Sequence, residues 1–276
     1  MRPALLAACG ALLALVAPAV AEAGPGLTVG AVEDDVRLTS SVEAEARMAL
    51  FRVAGFRAVR VTSFWQPGQT RPSEAELGVL RNVAEAASRN GVRVYLTVMH
   101  PGSRTTPLTD EARGEFAANA AALVRAVPGI RHAIVGNEPN LNRFWLPQFE
   151  LDGTSAAPSA YLALLARTYD ALKAISPGIR VYGGALSPRG GDRAGGTRPT
   201  HSPTKFIQEL GVAYRATGRE RPVMDALSIH PYPDNSSQPP TTAHPNTTTI
   251  GIADYGKLVA LLGQAFDGTA QPGSKL

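Results

Sequence analysis

The chain has 276 residues, of which 44% are hydrophobic and 18% are charged, and its formal net charge is +4. This length and apolar content suit one large α/β domain or two small ones. The net charge is small for this length and no block of Lys and Arg occurs, which argues against nucleic acid as the partner. The one cysteine, Cys9, lies at the extreme N-terminus, so a processed chain would have neither a disulfide nor thiolate chemistry.

The first 23 residues have the pattern of a signal peptide. Arg2 precedes an almost wholly apolar stretch, residues 4–20, and the sequence A-E-A follows at positions 21–23. This order is typical of signal-peptidase cleavage, here before Gly24. A transmembrane anchor is the less favoured alternative because the stretch is short and rich in alanine. We therefore expect a secreted or cell-envelope protein whose mature domain is residues 24–276.

Glycine, an apolar residue and arginine recur four times, and an apolar stretch follows each time. The triplets begin at Gly55, Gly91, Gly129 and Gly178. Their spacing of roughly 40 residues accommodates one strand, one loop and one helix, the period of a βα unit. We expect each glycine to stand where a helix ends in a left-handed conformation and the next strand begins.

Amphipathic helices are predicted from apolar residues that repeat with helical spacing. Two of the helices begin with capping boxes, from Ser40 to Glu43 and from Ser73 to Glu76. The apolar stripes of the five predicted helices are Ala46, Ala49, Leu50 and Val53; Leu77, Leu80, Ala84 and Ala87; Phe116, Ala120, Leu123, Val124 and Val127; Leu162, Leu165, Tyr169 and Leu172; and Tyr255, Leu258, Val259, Leu262 and Phe266.

Six short strands, apolar on both faces, are predicted between helices. They cover residues 27–32, 58–63, 92–98, 132–136, 179–184 and 224–230. Strands of this kind form parallel sheets. Their strict alternation with helices fits a doubly wound sheet or a (β/α)₈ barrel. No G-x-G-x-x-G follows the first strand, so we expect an α/β fold of the TIM-barrel type.

The sequence accounts for about six of the eight units of such a barrel. A loop rich in Pro, Asn and Thr, residues 231–249, follows the sixth strand, and a helix follows the loop. The sequence Q-P-G at 271–273 then resembles the ends of earlier helices, where a seventh strand would begin. We therefore expect an incomplete barrel, a fragment of a longer protein without its C-terminal units. A fold that closes differently is the less simple alternative.

Polar and aromatic residues collect at the carboxyl ends of the predicted strands, the edge of a barrel where catalytic residues lie. The fourth strand runs into the sequence N-E-P at 137–139, and the sixth runs into H-P-Y-P at 230–233. The candidate site residues at or near this edge are Arg60, Trp65, His100, Asn137, Glu138, Trp145, His230 and Tyr232.

An Asn-Glu pair ending the fourth strand, an arginine in the second and H-x-Y after the sixth resemble the clan A glycoside hydrolases. These are retaining (β/α)₈ enzymes that include the cellulase-like families, and the resemblance covers residues 27–276. It implies an O-glycosyl hydrolase that acts on a poly- or oligosaccharide. Such enzymes use an acid/base and a nucleophilic carboxylate roughly 5 Å apart. No cofactor or metal is implied.

The resemblance also implies a role for each residue. Glu138 matches the acid/base, and Asn137 matches the residue that hydrogen-bonds the sugar 2-hydroxyl. Arg60 matches the arginine that holds the charge of the nucleophile in place, and Tyr232 matches the tyrosine that donates to the nucleophile. The nucleophile itself ends strand seven in the family and has no counterpart in this chain. The other predicted substrate-binding residues are His100, His230, Trp65 and Trp145.

Structural alternatives exist for these residues. Arg60 could be a solvated edge residue, His230 a packed core histidine, and the two tryptophans ordinary core or lid aromatics. A non-catalytic carbohydrate-binding barrel would also lack a nucleophile, and it is the main alternative function. A metal-dependent hydrolase that uses His100 and His230 is less favoured, because the first strand carries no H-x-H. We expect the 276-residue chain to be inactive as it stands.

Overall fold

The computed structural model describes residues 26–276. The proposed signal peptide and Cys9 lie outside the described residues, so the predictions about them stay predictions. Within the described range, six strands alternate with six α-helices. The strands are β1 (Gly30–Val32), β2 (Ala58–Phe64), β3 (Arg93–Met99), β4 (His132–Val135), β5 (Arg180–Leu186) and β6 (Ala226–Ile229). The helices are α1 (Ser41–Val53), α2 (Glu74–Arg89), α3 (Asp110–Ala126), α4 (Ala157–Ile175), α5 (Pro203–Ala216) and α6 (Tyr255–Phe266).

All six strands belong to one sheet in the order β1-β2-β3-β4-β5-β6. Every neighbouring pair is parallel. A doubly wound sheet would reverse its strand order at a switch point, whereas a barrel keeps the order of the sequence. The prediction of an incomplete TIM-type barrel is therefore confirmed.

The sheet is strongly curled. Neighbouring strands lie about 4.8 Å apart, so β2 and β6 would be about 19 Å apart in a flat sheet. Instead, the guanidinium of Arg60 in β2 lies 2.9 Å from the ring of His230, which directly follows β6. These two side chains can meet only across the concave face of a half-barrel.

The convex face of the sheet carries the core. Val59, Val61 and Leu96 point from the strands toward the helices and are fully buried, as are Leu80 of α2 and Phe116 of α3. Alternate residues of the same strands face the concave side, which is why Arg60 lies there. The apolar runs that predicted the strands thus reflect burial on the helix side.

The helices begin where local hydrogen-bonding signals predict. The hydroxyls of Ser40 and Ser73 accept bonds from the backbone N–H groups of Glu43 and Glu76. Helix α5 was not assigned from the sequence. It begins at Pro203 behind the hydroxyl of Ser202, which accepts from the third residue of the helix.

The two outer strands leave apolar residues uncovered. Leu27, Val29 and Val32 on the β1 side are 67%, 54% and 63% exposed, and all four residues of β6 are partly exposed. This exposure follows from the open gap between β6 and β1. Between residues 26 and 276, no helix is long and apolar enough to cross a membrane.

Candidate active site

The backbone at the end of β4 is unusual. Gly136 and Glu138 both have positive φ, 80° and 41°. Glycine adopts this conformation freely, whereas a residue with a side chain adopts it at a cost of about 1–3 kcal/mol. The N–H of Glu138 donates to the carbonyl of Ala185 at 2.9 Å, which helps to hold the strained residue against the end of β5. The strand therefore ends in a fixed turn that positions the carboxylate of Glu138.

Three predicted site residues form one hydrogen-bonded chain. Oε1 of Glu138 lies 2.9 Å from Nδ1 of His230, and Nε2 of His230 lies 2.9 Å from Nη1 of Arg60. A guanidinium can only donate, so Nε2 accepts the bond from Arg60 and the ring proton is on Nδ1. His230 therefore donates to the carboxylate of Glu138. The side chains of Glu138 and His230 are mostly buried, 16% and 12% exposed.

Arg60 has hydrogen-bonding capacity left over. Burial lowers the pKa of its guanidinium, while the nearby groups of Tyr232, Asp34 and Glu138 act in the opposite direction. Its Nε is buried and has no hydrogen-bond partner within residues 26–276. A buried donor of this kind is costly to leave unpaired. Arg60 can therefore donate to a further hydrogen-bond acceptor in the site.

Asn137 and Tyr232 lie beside this chain. Asn137 is partly buried, and none of the hydrogen bonds of residues 26–276 uses its side chain. Tyr232 is 62% exposed, and the centre of its ring lies 6.0 Å from that of His230. Their predicted roles toward sugar and nucleophile stay predictions.

His100 is held at the end of β3. It is 3% exposed, its Nδ1 lies 2.9 Å from the carbonyl oxygen of Gly102, and its ring packs edge-on against Trp145. Burial lowers the pKa of His100. The ring is thus fixed next to the rim, and its binding of substrate stays a prediction.

Trp65 and Trp145 were predicted to bind substrate, but both indoles lie in the core. Trp65 is fully buried, packs on Phe116 and donates from Nε1 to the carbonyl of Gln69 at 2.9 Å. Trp145 is 1% exposed and packs edge-on against Tyr161. Trp65 lies an even number of residues after Val59 and Val61, so it faces the helices, as they do, rather than the concave side. Neither indole has a face free for a ligand.

Asn140 was missed by the sequence analysis. Its side chain is fully buried, its Oδ1 accepts from the N–H of Ser187 at 2.9 Å, and its Nδ2 donates to the carbonyls of Ser187 and His201. These bonds join the loop after β4 to the loop after β5. The asparagine follows N-E-P directly, but nothing in the sequence identifies its partners, which lie 47 and 61 residues away.

Tyr161 of α4 was assigned no role either. Its hydroxyl donates to the carbonyl of Val135 at 2.8 Å and accepts from the N–H of Gly184 at 2.7 Å. Pairing between β4 and β5 ends at Ile134 and Tyr182, so the hydroxyl takes the place of the next ladder bonds. Burial raises the pKa of Tyr161, which keeps the hydroxyl a donor. This residue sets the splay between the two strands at the rim.

A metal site was also considered. Within residues 26–276, no group of three or more His, Cys, Asp or Glu side chains is arranged so that it could hold a metal ion. His100 and His230 therefore do not belong to such a group. His230 is already bonded through both ring nitrogens.

Comparison with solved structures gives the fold. One similar structure is the GH39 enzyme from Xanthomonas axonopodis pv. citri, with a TM-score of 0.52, 17% identity, and coverage of 86% of this chain and 47% of that one. Another is a monomeric β-xylosidase from Caulobacter crescentus CB15, with a TM-score of 0.52, 18% identity, and coverage of 90% and 50%. The fold shared with these two enzymes is a parallel α/β barrel, of which this chain has six strands.

These identities are low, so the likeness shows the fold alone. The chain spans about half the length of the two solved structures. No protein-family model and no curated protein matches the sequence. The resemblance to clan A glycoside hydrolases, first indicated by the residues at the strand ends, is thus confirmed for the architecture.

Proposed function

We propose that this chain is part of a retaining O-glycosidase in which Glu138 is the general acid/base. The observation that carries the proposal is the chain of hydrogen bonds from Arg60 through His230 to Glu138. It lies at the carboxyl edge of the strands, where barrel enzymes place their catalytic groups. The glycosidase fold of the similar structures supports the same reading.

The geometry suits proton transfer by Glu138. Oε1 of Glu138 accepts the hydrogen bond from His230. Oε2 has no hydrogen-bond partner within residues 26–276, so it is available to the substrate. In the first step, the carboxylic acid gives its proton to the glycosidic oxygen as the bond to the anomeric carbon breaks and the nucleophile attacks. In the second step, the carboxylate takes a proton from the water that releases the sugar.

The nucleophile is proposed to come from a further strand. Within residues 26–276, Arg60 has a buried, unpaired Nε and one side-chain hydrogen bond, so it can hold a second carboxylate close to the site. Tyr232 is exposed and lies beside His230, so its hydroxyl is free to donate to the same group. Asn137 would bind the sugar 2-hydroxyl.

Activity of two chains tests the proposal. The 276-residue chain and a version extended through two further βα units are assayed with a panel of nitrophenyl glycosides that includes the β-xyloside. We expect no turnover by the short chain and measurable turnover by the extended one, because only the latter supplies a second carboxylate. The main alternative, a carbohydrate-binding barrel, predicts that both chains bind sugar and neither hydrolyses it. Activity of the short chain would contradict the mechanism.

A further inference from the structure

A second polar cleft lies on the same rim. It encloses about 480 Å³ between the loops that follow β2, β3 and β4. Gln66, Ser103, Arg104, Thr105 and Arg143 supply its polar side chains. We call it the Arg104–Arg143 cleft.

The two arginines of this cleft have no acidic partner. No carboxylate within residues 26–276 lies within 4.0 Å of either guanidinium. Elsewhere on the rim, Arg189 pairs with Asp234 at 2.8 Å. Both Arg104 and Arg143 are exposed to solvent. The cleft thus combines two unneutralised positive charges with small hydroxyl side chains.

The walls of the cleft are fixed by backbone hydrogen bonds. The N–H of Ser103 donates to the carbonyl of Arg143 at 3.0 Å, which fastens the loop after β3 to the loop after β4. The N–H and the hydroxyl of Thr105 both bond to the carbonyl of Gly102, at 3.0 and 2.9 Å. The arginine side chains therefore project from a preformed surface.

The cleft is close to Glu138. Arg143 follows Glu138 by five residues in the same loop, so their Cα atoms are at most about 18 Å apart even if that segment were extended. Two turns shorten the distance, since the N–H of Leu141 donates to the carbonyl of Glu138 and that of Phe144 donates to the carbonyl of Leu141. A saccharide of several residues bound at Glu138 is therefore long enough to reach this cleft.

We propose that the Arg104–Arg143 cleft binds an acidic sugar residue, one that carries a carboxylate or a sulfate ester. Guanidinium groups match the oxygens of both anions with paired hydrogen bonds. The hydroxyls of Ser103 and Thr105 and the amide of Gln66 suit the hydroxyls of a sugar ring. The inference rests on the proposed function in one respect: the acidic sugar is taken to be part of the substrate of the glycosidase.

Nuclear magnetic resonance of the arginine side chains tests binding without catalysis. The 276-residue chain is titrated with methyl β-glucuronide, glucose 6-sulfate, neutral methyl β-glucoside and inorganic sulfate. We expect the Nε–H signals of Arg104 and Arg143 to shift with at least one acidic sugar and not with the neutral one. Comparing the glucuronide with the sulfate ester shows which anion is preferred. A response to inorganic sulfate as strong as to the acidic sugars would overturn the proposal, because the cleft would then bind any anion.

Variants locate the site. Arg104→Gln with Arg143→Gln should weaken acidic-sugar binding by about tenfold or more, as expected for the loss of charge-assisted hydrogen bonds. The matched control is Arg47→Gln on the exposed face of α1, which should leave binding unchanged. Equal binding by the double variant would overturn the proposal.

The outcome is separable from that of the proposed function. Hydrolysis by the extended chain, without any shift of the Arg104 and Arg143 signals, refutes the cleft and leaves the glycosidase standing. Shifts confined to the acidic sugars, with an extended chain that hydrolyses nothing, support the cleft as a binding site and refute the glycosidase.

Discussion

The ring of His230 connects the positive and negative charges of the candidate active site. Arg60 approaches one ring nitrogen and Glu138 the other, each at 2.9 Å. Because the guanidinium cannot accept, the arginine fixes the tautomer of the ring, and this tautomer makes Nδ1 the donor to Oε1 of Glu138. Arg60 is thus a positioning residue for Glu138, although the two side chains share no hydrogen bond.

This tautomer is directly measurable. From the two hydrogen bonds of the ring, we expect nitrogen-15 spectra to show His230 with its proton on Nδ1 and an unprotonated Nε2. Arg60→Gln removes the guanidinium and should change the His230 pattern. The signals of His244, whose Nδ1 lies 2.8 Å from Asp254, should not move. A proton on Nε2 of His230 in the unmodified chain would refute the arrangement.

At the scale of single residues, sequence reasoning succeeded where chemistry restricts the residue type. Arg60, Glu138 and His230 were predicted on three different strands and are joined in the structure. It failed for Trp65 and Trp145, because an indole serves a core as well as a sugar site and the side on which it lies depends on the strand register. Asn140 was missed because its partners are distant in sequence.

At the scale of elements, the rim depends on how β4 and β5 are joined beyond their last paired residues. Tyr161 bridges the two strand ends, and Asn140 fastens the loops that follow them. The strained φ of Glu138 is stable only if these surroundings are rigid. The elements around the site therefore hold a conformation that the residue alone would avoid.

Replacing Asn140 tests this support. Asn140→Ala leaves the N–H of Ser187 and the carbonyls of Ser187 and His201 without the partner they have now. We expect the free energy of unfolding, measured with denaturant, to fall by about 2–4 kcal/mol. Asn142→Ala is the control, because its side chain makes no hydrogen bond within residues 26–276, and it should cost at most about 0.5 kcal/mol. Equal costs for the two variants would show that Asn140 fastens nothing.

The elements themselves were largely predictable. The triplets at Gly55, Gly91, Gly129 and Gly178 marked four strand starts, and the alternation of strands and helices implied the observed order. Helix α5 was missed because its start lies in a stretch rich in Gly, Pro and Thr. Strand ends differed by one or a few residues, since pairing with neighbours rather than composition decides them.

At the scale of the whole molecule, the half-barrel leaves a polar concave face. Below the candidate active site, the ring of His132 lies against Tyr95 and bonds through Nδ1 to the hydroxyl of Tyr182 at 2.9 Å. Arg93 and Arg180 lie nearby on β3 and β5. Burial, together with these two positive charges, lowers the pKa of His132 to about 4. Burial also lowers that of His201 to about 4.

These shifts predict a loss of stability in mild acid. In the unfolded chain both histidines have a pKa of about 6.5, so below that pH the unfolded chain binds protons that the folded chain does not. The free energy of unfolding should therefore fall as the pH is lowered from 6.5 toward 4. Below that pH the two histidines are protonated in both the folded and the unfolded chain, so they cause no further fall. Burial raises the pKa of the neighbouring Tyr182 to about 12, so this hydroxyl does not titrate in the same window. Denaturant unfolding across pH 7 to 4.5 measures the fall, and His132→Gln should make it shallower. A flat profile would contradict the lowered pKa values of the two histidines.

The proposed role of Glu138 is tested most directly by leaving-group dependence in the extended barrel. With a substrate whose leaving group needs a proton, Glu138→Gln should lower kcat/KM by about 10²–10⁴-fold, the usual contribution of a general acid–base. With a nitrophenyl glycoside, whose leaving group departs as an anion, the loss in kcat/KM should be much smaller. Glu150→Gln, in an exposed part of the same loop, is the matched control and should change neither rate. If Glu138→Gln is silent, or slows both substrates equally, then Glu138 is not the acid.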